Sequence, residues 1–101
     1  MKSETQISTE IADYLTKRGI FNLRLNAGRV KKGGSWIYLM PEGTPDRLCI
    51  VNKQAVFLEV KKPGEKATAK QLAMHDEIRS SGGIVAIVES VEDTAKVLRG
   101  L

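Results

Sequence analysis

Residues 43–62 constrain the fold more than any other stretch, because they place charged side chains at the end of an apolar run. The alternation of side-chain types predicts two short strands, residues 47–51 and 55–61. A turn at residues 52–54 joins them. The stretch therefore predicts an antiparallel β-hairpin.

The second predicted strand carries an acid and a base on one face. Successive side chains of a strand point to opposite faces, so Glu59 and Lys61 lie on the same side. Leu58 and Val60 lie on the other side. Neither charge is readily buried without a partner, so the pair needs a structural or functional reason.

A second carboxylate comes just before the first strand. Asp46 follows Pro45, and antiparallel pairing across a turn of about three residues brings Asp46 toward Glu59 and Lys61. Two converging carboxylates can hold a hard divalent cation such as Mg²⁺. A lysine beside that ion can orient or deprotonate a water, or stabilise charge on a phosphate. The alternative is an ordinary cross-strand Glu–Lys pair with an aspartate in a turn.

An amphipathic helix is predicted over residues 3–18. Its apolar side chains recur at three- and four-residue steps, at Ile7, Ile11, Tyr14 and Leu15. Ser3 is the expected N-cap. Glu4 continues the apolar stripe, whereas Glu10 lies at its flank. An acid in the first turn also has a simpler explanation, because it favours the helix dipole.

Two strands and a basic turn are predicted between this helix and the hairpin. Residues 20–30 alternate apolar and polar side chains, as a half-buried strand does, and residues 35–40 return as the next strand. Residues 31–34 hold two lysines and two glycines, which suit contact with phosphate or merely close the turn. Trp36 is expected to pack in the core or the hairpin rather than to stack on bases.

A second helix is predicted over residues 68–80, with Thr68 as its N-cap. Its first turn contains Gln71, which can reach back toward the end of the hairpin because the connecting loop starts at Lys61. His75 shares the Gln71 face, and we expect it to pack or to face solvent rather than to act as a base.

The last part of the sequence predicts a strand and a helix. Residues 84–88 are a continuous run of mostly β-branched residues, which predicts a central buried strand, and Ser90 caps the final helix. The preceding helix makes a crossover, so this strand should lie parallel to a neighbour. The predicted order is α-β-β-β-β-α-β-α, an α/β sandwich with a mixed sheet.

The length and composition fit a single globular domain over residues 1–101. The sequence has neither a membrane-spanning apolar run nor a signal peptide, which predicts a cytoplasmic protein without membrane contact. The single cysteine, Cys49, is expected to be a buried inert thiol. A net charge of +4 suits a polyanionic partner.

Three groups of residues stand in a distinctive order along the chain. They are Arg24-x-Asn26-x-Gly28, then Pro45-Asp46 with Glu59-Val60-Lys61, then Gln71 in the following helix. This ordered set resembles the VRR-NUC family of the PD-(D/E)xK nuclease superfamily and spans nearly the whole chain. The small stand-alone members of phage type are the most similar in size and layout. The resemblance implies a restriction-endonuclease-like fold.

The resemblance also implies a metal-dependent active site. The catalytic residues would be Asp46, Glu59, Lys61, Gln71 and Glu4, with Glu10 as the alternative to Glu4. Asp46, Glu59 and the Val60 backbone carbonyl would bind Mg²⁺ or Mn²⁺. Lys61 would position or activate the attacking water, and Gln71 would line the site.

Polar and basic residues flank the motif on both sides and are the expected DNA contacts. They are Arg24, Asn26, Arg29, Lys31, Lys32, Lys62 and Lys66. The similar stand-alone nucleases resemble Holliday-junction resolvases, which implies cleavage of four-way junctions by a homodimer. The alternatives are a nuclease for flaps, splayed arms or single strands, an inactive nucleic-acid-binding module, and a structural or assembly protein.

Overall fold

Six strands and three helices make up the computed structural model, which describes all of residues 1–101. In chain order they are α1 (Glu4–Lys17), β1 (Asn22–Arg24), β2 (Arg29–Lys32), β3 (Ser35–Tyr38), β4 (Arg47–Val51), β5 (Gln54–Val60), α2 (Ala69–Ser80), β6 (Ile84–Val88) and α3 (Val91–Arg99). Four strands form the main sheet in the order β1-β4-β5-β6. The other two, β2 and β3, pair only with each other.

The main sheet is mixed, as the sequence predicts. β4 pairs antiparallel with β1 and with β5, whereas β5 and β6 are parallel. The parallel pair follows from α2, which carries the chain back across the sheet before β6 begins. The α/β architecture with a mixed central sheet is thereby confirmed.

The core lies between α1 and one face of the sheet. It consists of Ile7, Ile11, Leu15, Cys49, Val56, Leu58, Val60 and Val88. The apolar stripe of α1 therefore buries the face of β5 opposite to Glu59, and α3 adds partly buried side chains to the same cluster. Ser3 caps α1 with a capping box to Gln6, as predicted.

The strand predicted over residues 20–30 is divided into two. β1 ends at Arg24 and β2 begins at Arg29, because Gly28 adopts φ +88°, which does not continue an extended strand. The apolar side of β1 and of the residue before it is more open than expected, since Leu23 is 47% exposed and Phe21 is 58% exposed. β1 is an edge strand, so its outer side has no neighbouring strand.

One further expectation about burial is wrong. The strand expected at the centre, β6, lies at the other edge of the sheet, and its apolar composition reflects helices α2 and α3 packed against it. Of the two places expected for Trp36, the structure has the hairpin, where its ring packs against Arg29 outside the core. None of the three helices has the length and apolar character needed to cross a membrane.

Candidate active site

The turn between β4 and β5 sets the position of the two central carboxylates. It has two residues rather than the expected three, and both Asn52 and Lys53 adopt left-handed φ values, 50° and 65°. Such a turn matches the twist of the paired strands. The register that it fixes, continued one residue past β4, brings Asp46 opposite Glu59.

Asp46 is held through both its side chain and its backbone. Its Oδ2 accepts a hydrogen bond from the Val60 backbone N–H at 2.7 Å. Its backbone carbonyl accepts a hydrogen bond from the Leu25 N–H at 2.8 Å, and the preceding Pro45 is buried. The carboxylate is therefore preorganised at the edge of β5 before any ligand binds.

Glu59 is only 2% exposed, and side chains from α2 contact both of its carboxyl oxygens. Nε2 of His75 lies 3.0 Å from Oε1, and Nε2 of Gln71 donates to Oε2 at 3.4 Å. The Gln71 amide also closes the capping box of α2, because its Oε1 accepts from the Thr68 N–H at 2.9 Å. The helix start therefore orients Gln71 so that its amide N–H₂ faces Glu59.

The burial of His75 agrees with the predicted packing role, but the sequence does not predict its contact with Glu59. Burial lowers the pKa of His75, so the ring is neutral at neutral pH. Its Nδ1 has no hydrogen-bond partner, which fits a tautomer with the proton on Nε2, facing Glu59. The spacing from Gln71, one helical turn, was the available signal.

Lys61 directly follows β5 and is 6% exposed. Its Nζ is 3.8 Å from Oε1 of Glu65, a loop residue for which the sequence predicts no role in the site. The Glu4 carboxyl group forms a hydrogen bond with Glu65 and interacts electrostatically with Lys61 and Asp46. Of the two acids considered on α1, Glu4 thus lies in this cluster, whereas Glu10 pairs with Lys2 at 2.9 Å.

The carboxyl groups of this cluster crowd one another. The pKa of Glu59 is raised to about 8, mainly by burial and to a smaller extent by the adjacent Asp46. The pKa of Glu4 is raised to about 7, mainly by burial and to a smaller extent by its hydrogen bond with Glu65. Four acids around one lysine leave an excess of negative charge, and a bound cation would relieve it.

The donor set suits a partly hydrated cation. No group of three or more His, Cys, Asp or Glu side chains has the arrangement of a complete metal site. Asp46 and Glu59 nevertheless offer hard oxygen donors side by side. Mg²⁺ is commonly held by one or two carboxylates, with waters and substrate phosphate filling the remaining positions. The pair therefore fits Mg²⁺ or Mn²⁺ better than a closed structural metal site.

The residues predicted to bind DNA lie on several surface segments. Arg24 is exposed on β1 and Asn26 just after it; Arg29, Lys31 and Lys32 are exposed on β2; Lys62 and Lys66 lie in the loop after β5. Lys62 is 4.0 Å from Glu65, whereas the cations of β2 form no salt bridge.

The loop before Asp46 packs closely on α2. A Cβ atom at Gly43 would lie 2.5 Å from the backbone carbonyl oxygen of Lys70. Gly43 also has φ +90°, so this position requires glycine for both reasons. The close approach ties Asp46 to the first turn of α2, where Gln71 lies.

Neither a family model nor a curated protein sequence matches this chain. A solved structure described as a "VRR_NUC domain" is similar to it, with a TM-score of 0.70 and 22% sequence identity. The similarity covers 95% of this chain and 94% of that one. The chain therefore has the fold of a VRR_NUC domain, which is the fold that its ordered motifs predicted.

Proposed function

We propose that residues 1–101 form one nuclease domain of the VRR-NUC family that hydrolyses DNA phosphodiester bonds with the help of Mg²⁺ or Mn²⁺. The observation that carries the proposal is the meeting of Asp46, Glu59 and Lys61 at the adjoining ends of β4 and β5. Burying two acids and a lysine together costs free energy of folding, and such clusters are typical of functional sites. The likeness in fold to a VRR_NUC domain supports the same conclusion.

In the proposed site, Asp46, Glu59 and the Val60 carbonyl hold the ion. When bound, the ion lowers the pKa of a coordinated water and neutralises charge on the phosphate. Lys61 positions the attacking water and stabilises the charge that develops on the phosphate oxygens. Glu4 orients solvent beside Lys61 or contributes to a second ion.

Residues of α2 keep the proposed metal ligand in place. Gln71 and His75 each contact one Glu59 oxygen, so they restrict the rotation of the carboxyl group. Such contacts from outside the immediate ligands orient a metal site and tune its basicity. We assign both side chains a positioning role.

The proposed substrate is DNA recognised by shape. The exposed basic residues suit contact with phosphate groups, which position a nucleic acid without reading its sequence. We propose a four-way junction cut by a homodimer, because two symmetric cuts require two copies of a single-site chain. The open edge strand β1, with exposed Leu23 and with exposed Phe21 just before it, supports contact with a second copy. A cytoplasmic location, in the host cell if the chain is phage-encoded, stays a prediction.

Cleavage of labelled DNA tests this function. A four-way junction, a matched duplex, a flap and a single strand are incubated with Mn²⁺, Mg²⁺ or chelator. We expect metal-dependent cutting, fastest on the junction, and a loss of about a hundredfold or more in Lys61→Ala. Faster cutting of another substrate would reject the junction but retain the nuclease. DNA binding without cutting in either metal would indicate an inactive binding module and reject the proposed activity.

A further inference from the structure

The β2–β3 hairpin stands apart from the main sheet. Its two strands pair only with each other, and all eight of their residues are exposed. At its base, hydrogen bonds join the flanking segments, from the Gly28 N–H to the Met40 carbonyl and from the Met40 N–H to the Asn26 carbonyl. The hairpin is therefore an ordered projection with two open faces.

One face of this hairpin combines two cations with two aromatic rings. The pairing sets Arg29 opposite Tyr38 and Lys31 opposite Trp36, so all four side chains share a face. The Arg29 guanidinium lies 4.2 Å from the centre of the Trp36 ring, and the Lys31 ammonium lies 5.8 Å from it. We call these four residues the aromatic face.

The opposite face differs in chemistry. Val30 and Ile37 pair across it, and both are aliphatic and partly exposed. The hairpin contains no acidic residue, and none of its cations forms a salt bridge. The opposite face carries one cation, Lys32, and no aromatic ring, so both aromatic rings and two of the three cations of the hairpin share the aromatic face.

We propose that the aromatic face binds unpaired nucleobases of the DNA substrate, with Trp36 and Tyr38 stacking on bases while Arg29 and Lys31 contact the adjoining phosphates. Tyr38 is 73% exposed, so its ring is open to a ligand. Sites for single-stranded nucleic acid combine a basic groove with such exposed rings, because every base offers a flat surface. The positive charge of this face favours a polyanionic ligand over a protein surface that has few acidic residues.

Unpaired bases fit this face better than an intact duplex does. In a duplex the flat surfaces of the bases are already stacked, so exposed aromatic rings gain little from it beyond phosphate contacts. The inference rests on the proposed function in that the bound strand is taken to be the nuclease substrate. It extends that function to a substrate with locally unpaired bases.

The hairpin connects directly to the candidate active site. Residues 39–45 run from β3 to Asp46, and the Leu25 N–H on the incoming side bonds the Asp46 carbonyl. Gly43 in this segment packs on the backbone of α2. A strand held on the aromatic face is thus linked to the carboxylates through a short, packed segment.

Trp36 is the only tryptophan, so its fluorescence reports on this face directly. Lys61→Ala protein in chelator, which keeps DNA uncut, is titrated with a thymine oligonucleotide and with a blunt duplex. Three further proteins add Trp36→Ala, Tyr38→Ala or the opposite-face control Ile37→Ala to Lys61→Ala. Fluorescence anisotropy of the labelled DNA measures the affinity of each protein for the oligonucleotide and for the duplex. We expect the oligonucleotide to quench Trp36 and the duplex to leave it nearly unchanged.

Each aromatic substitution should weaken oligonucleotide binding about fivefold or more, as expected for one lost base stack. Duplex affinity, and all affinities of Ile37→Ala, should change by less than about twofold, because phosphate contacts remain. Oligonucleotide binding without quenching would overturn the proposal, as would an equal loss in Ile37→Ala. A halved mass of Trp36→Ala in sedimentation would instead assign this face to a second copy. If the protein cuts none of the labelled DNA substrates, the proposed nuclease activity is rejected, but this binding result is unaffected.

Discussion

Glu59 is the residue on which the candidate site depends most. It is buried opposite Asp46, and it receives contacts from Gln71 and His75 on the other side. Burial raises its pKa to about 8, so the metal-free site keeps a proton there at neutral pH. A cation that replaces this proton would offset the repulsion among the carboxylates and would be bound by them.

The contact between His75 and Glu59 should contribute to stability. His75→Phe leaves a buried carboxyl oxygen without its partner, and we expect a loss of about 1–3 kcal/mol in the free energy of unfolding. Urea denaturation in chelator measures it. Met74→Leu, on the same helix but outside this contact, serves as the control and should change little. Equal stability of His75→Phe and the wild type would show that the contact is not stabilising.

The stability of the metal-free protein should fall between pH 6.5 and pH 8. The pKa values of Glu4 and Glu59 are raised from an ordinary 4.5 to about 7 and about 8, so the folded state retains protons that the unfolded chain has lost. His75 opposes this trend only below its ordinary pKa of 6.5, since burial lowers its folded value.

Urea denaturation in chelator at several pH values measures this dependence. Glu59→Gln removes one titrating carboxyl, so the fall with pH should become shallower in that variant. A wild-type free energy of unfolding that rises from pH 6.5 to pH 8 would contradict the assignment of raised pKa values to these two acids.

Among the secondary-structure elements, the β4–β5 hairpin has the greatest influence on the site. Its two-residue turn fixes the register that pairs the ends of the two strands, and a shift of one residue would move Glu59 to the other face. The turn achieves this although Lys53, which is not glycine, adopts φ 65°. A left-handed backbone conformation costs free energy in any residue that has a Cβ atom.

Lys53→Gly should therefore stabilise the protein by about 0.5–1 kcal/mol, because Asn-Gly is the preferred sequence for this turn. Thermal or urea unfolding measures the change. Gln54→Gly, one residue later in the extended strand, should be destabilising and provides the matched control. Destabilisation by Lys53→Gly would mean that the turn does not limit the stability of the hairpin.

The sequence predicts features that depend on neighbouring residues. Side-chain alternation gives the faces of β5, and the caps at Ser3, Thr68 and Ser90 are confirmed because capping is a local interaction. Antiparallel pairing over a short turn also brings Asp46 near Glu59, even though the turn is one residue shorter than expected.

Other features depend on distant neighbours and were missed. Alternation shows that β1 has an apolar side but not that its edge stays open, and the apolar run of β6 does not distinguish a central strand from a helix-covered edge. His75 reaches Glu59 through a tertiary contact, and its spacing from Gln71 gives the helix face but not the partner. Glu65 meets Lys61, four residues away, in an irregular loop, where spacing alone predicts no contact.

In the molecule as a whole, the candidate site lies at the adjoining ends of β4 and β5, and β1 forms one edge of the main sheet. β1 is short and unpaired on its outer side, and the Leu23 side chain is 47% exposed there. Exposed apolar edge strands tend to pair with another chain. This edge is therefore the proposed contact between two copies.

Leu23→Lys should break the proposed homodimer, because a charged side chain on an edge strand opposes pairing. Sedimentation velocity should give twice the chain mass for the wild type and a single-chain mass for this variant. The junction should then be nicked rather than cut symmetrically. Leu72→Lys, an equally exposed site on α2, should remain dimeric. A wild type that is monomeric at every concentration would reject the dimer.

We propose that Asp46 and Glu59 hold a catalytic metal ion, and we would test this first by comparing DNA cleavage by Asp46→Asn and by the wild type, in Mn²⁺ and in chelator. Circular dichroism first verifies that both proteins fold. We expect cleavage only by the wild type with Mn²⁺, a rate at least about a hundredfold lower in Asp46→Asn, and a melting temperature that Mn²⁺ raises in the wild type alone. Cleavage by Asp46→Asn at the wild-type rate, or wild-type cleavage that persists in chelator, would contradict the claim.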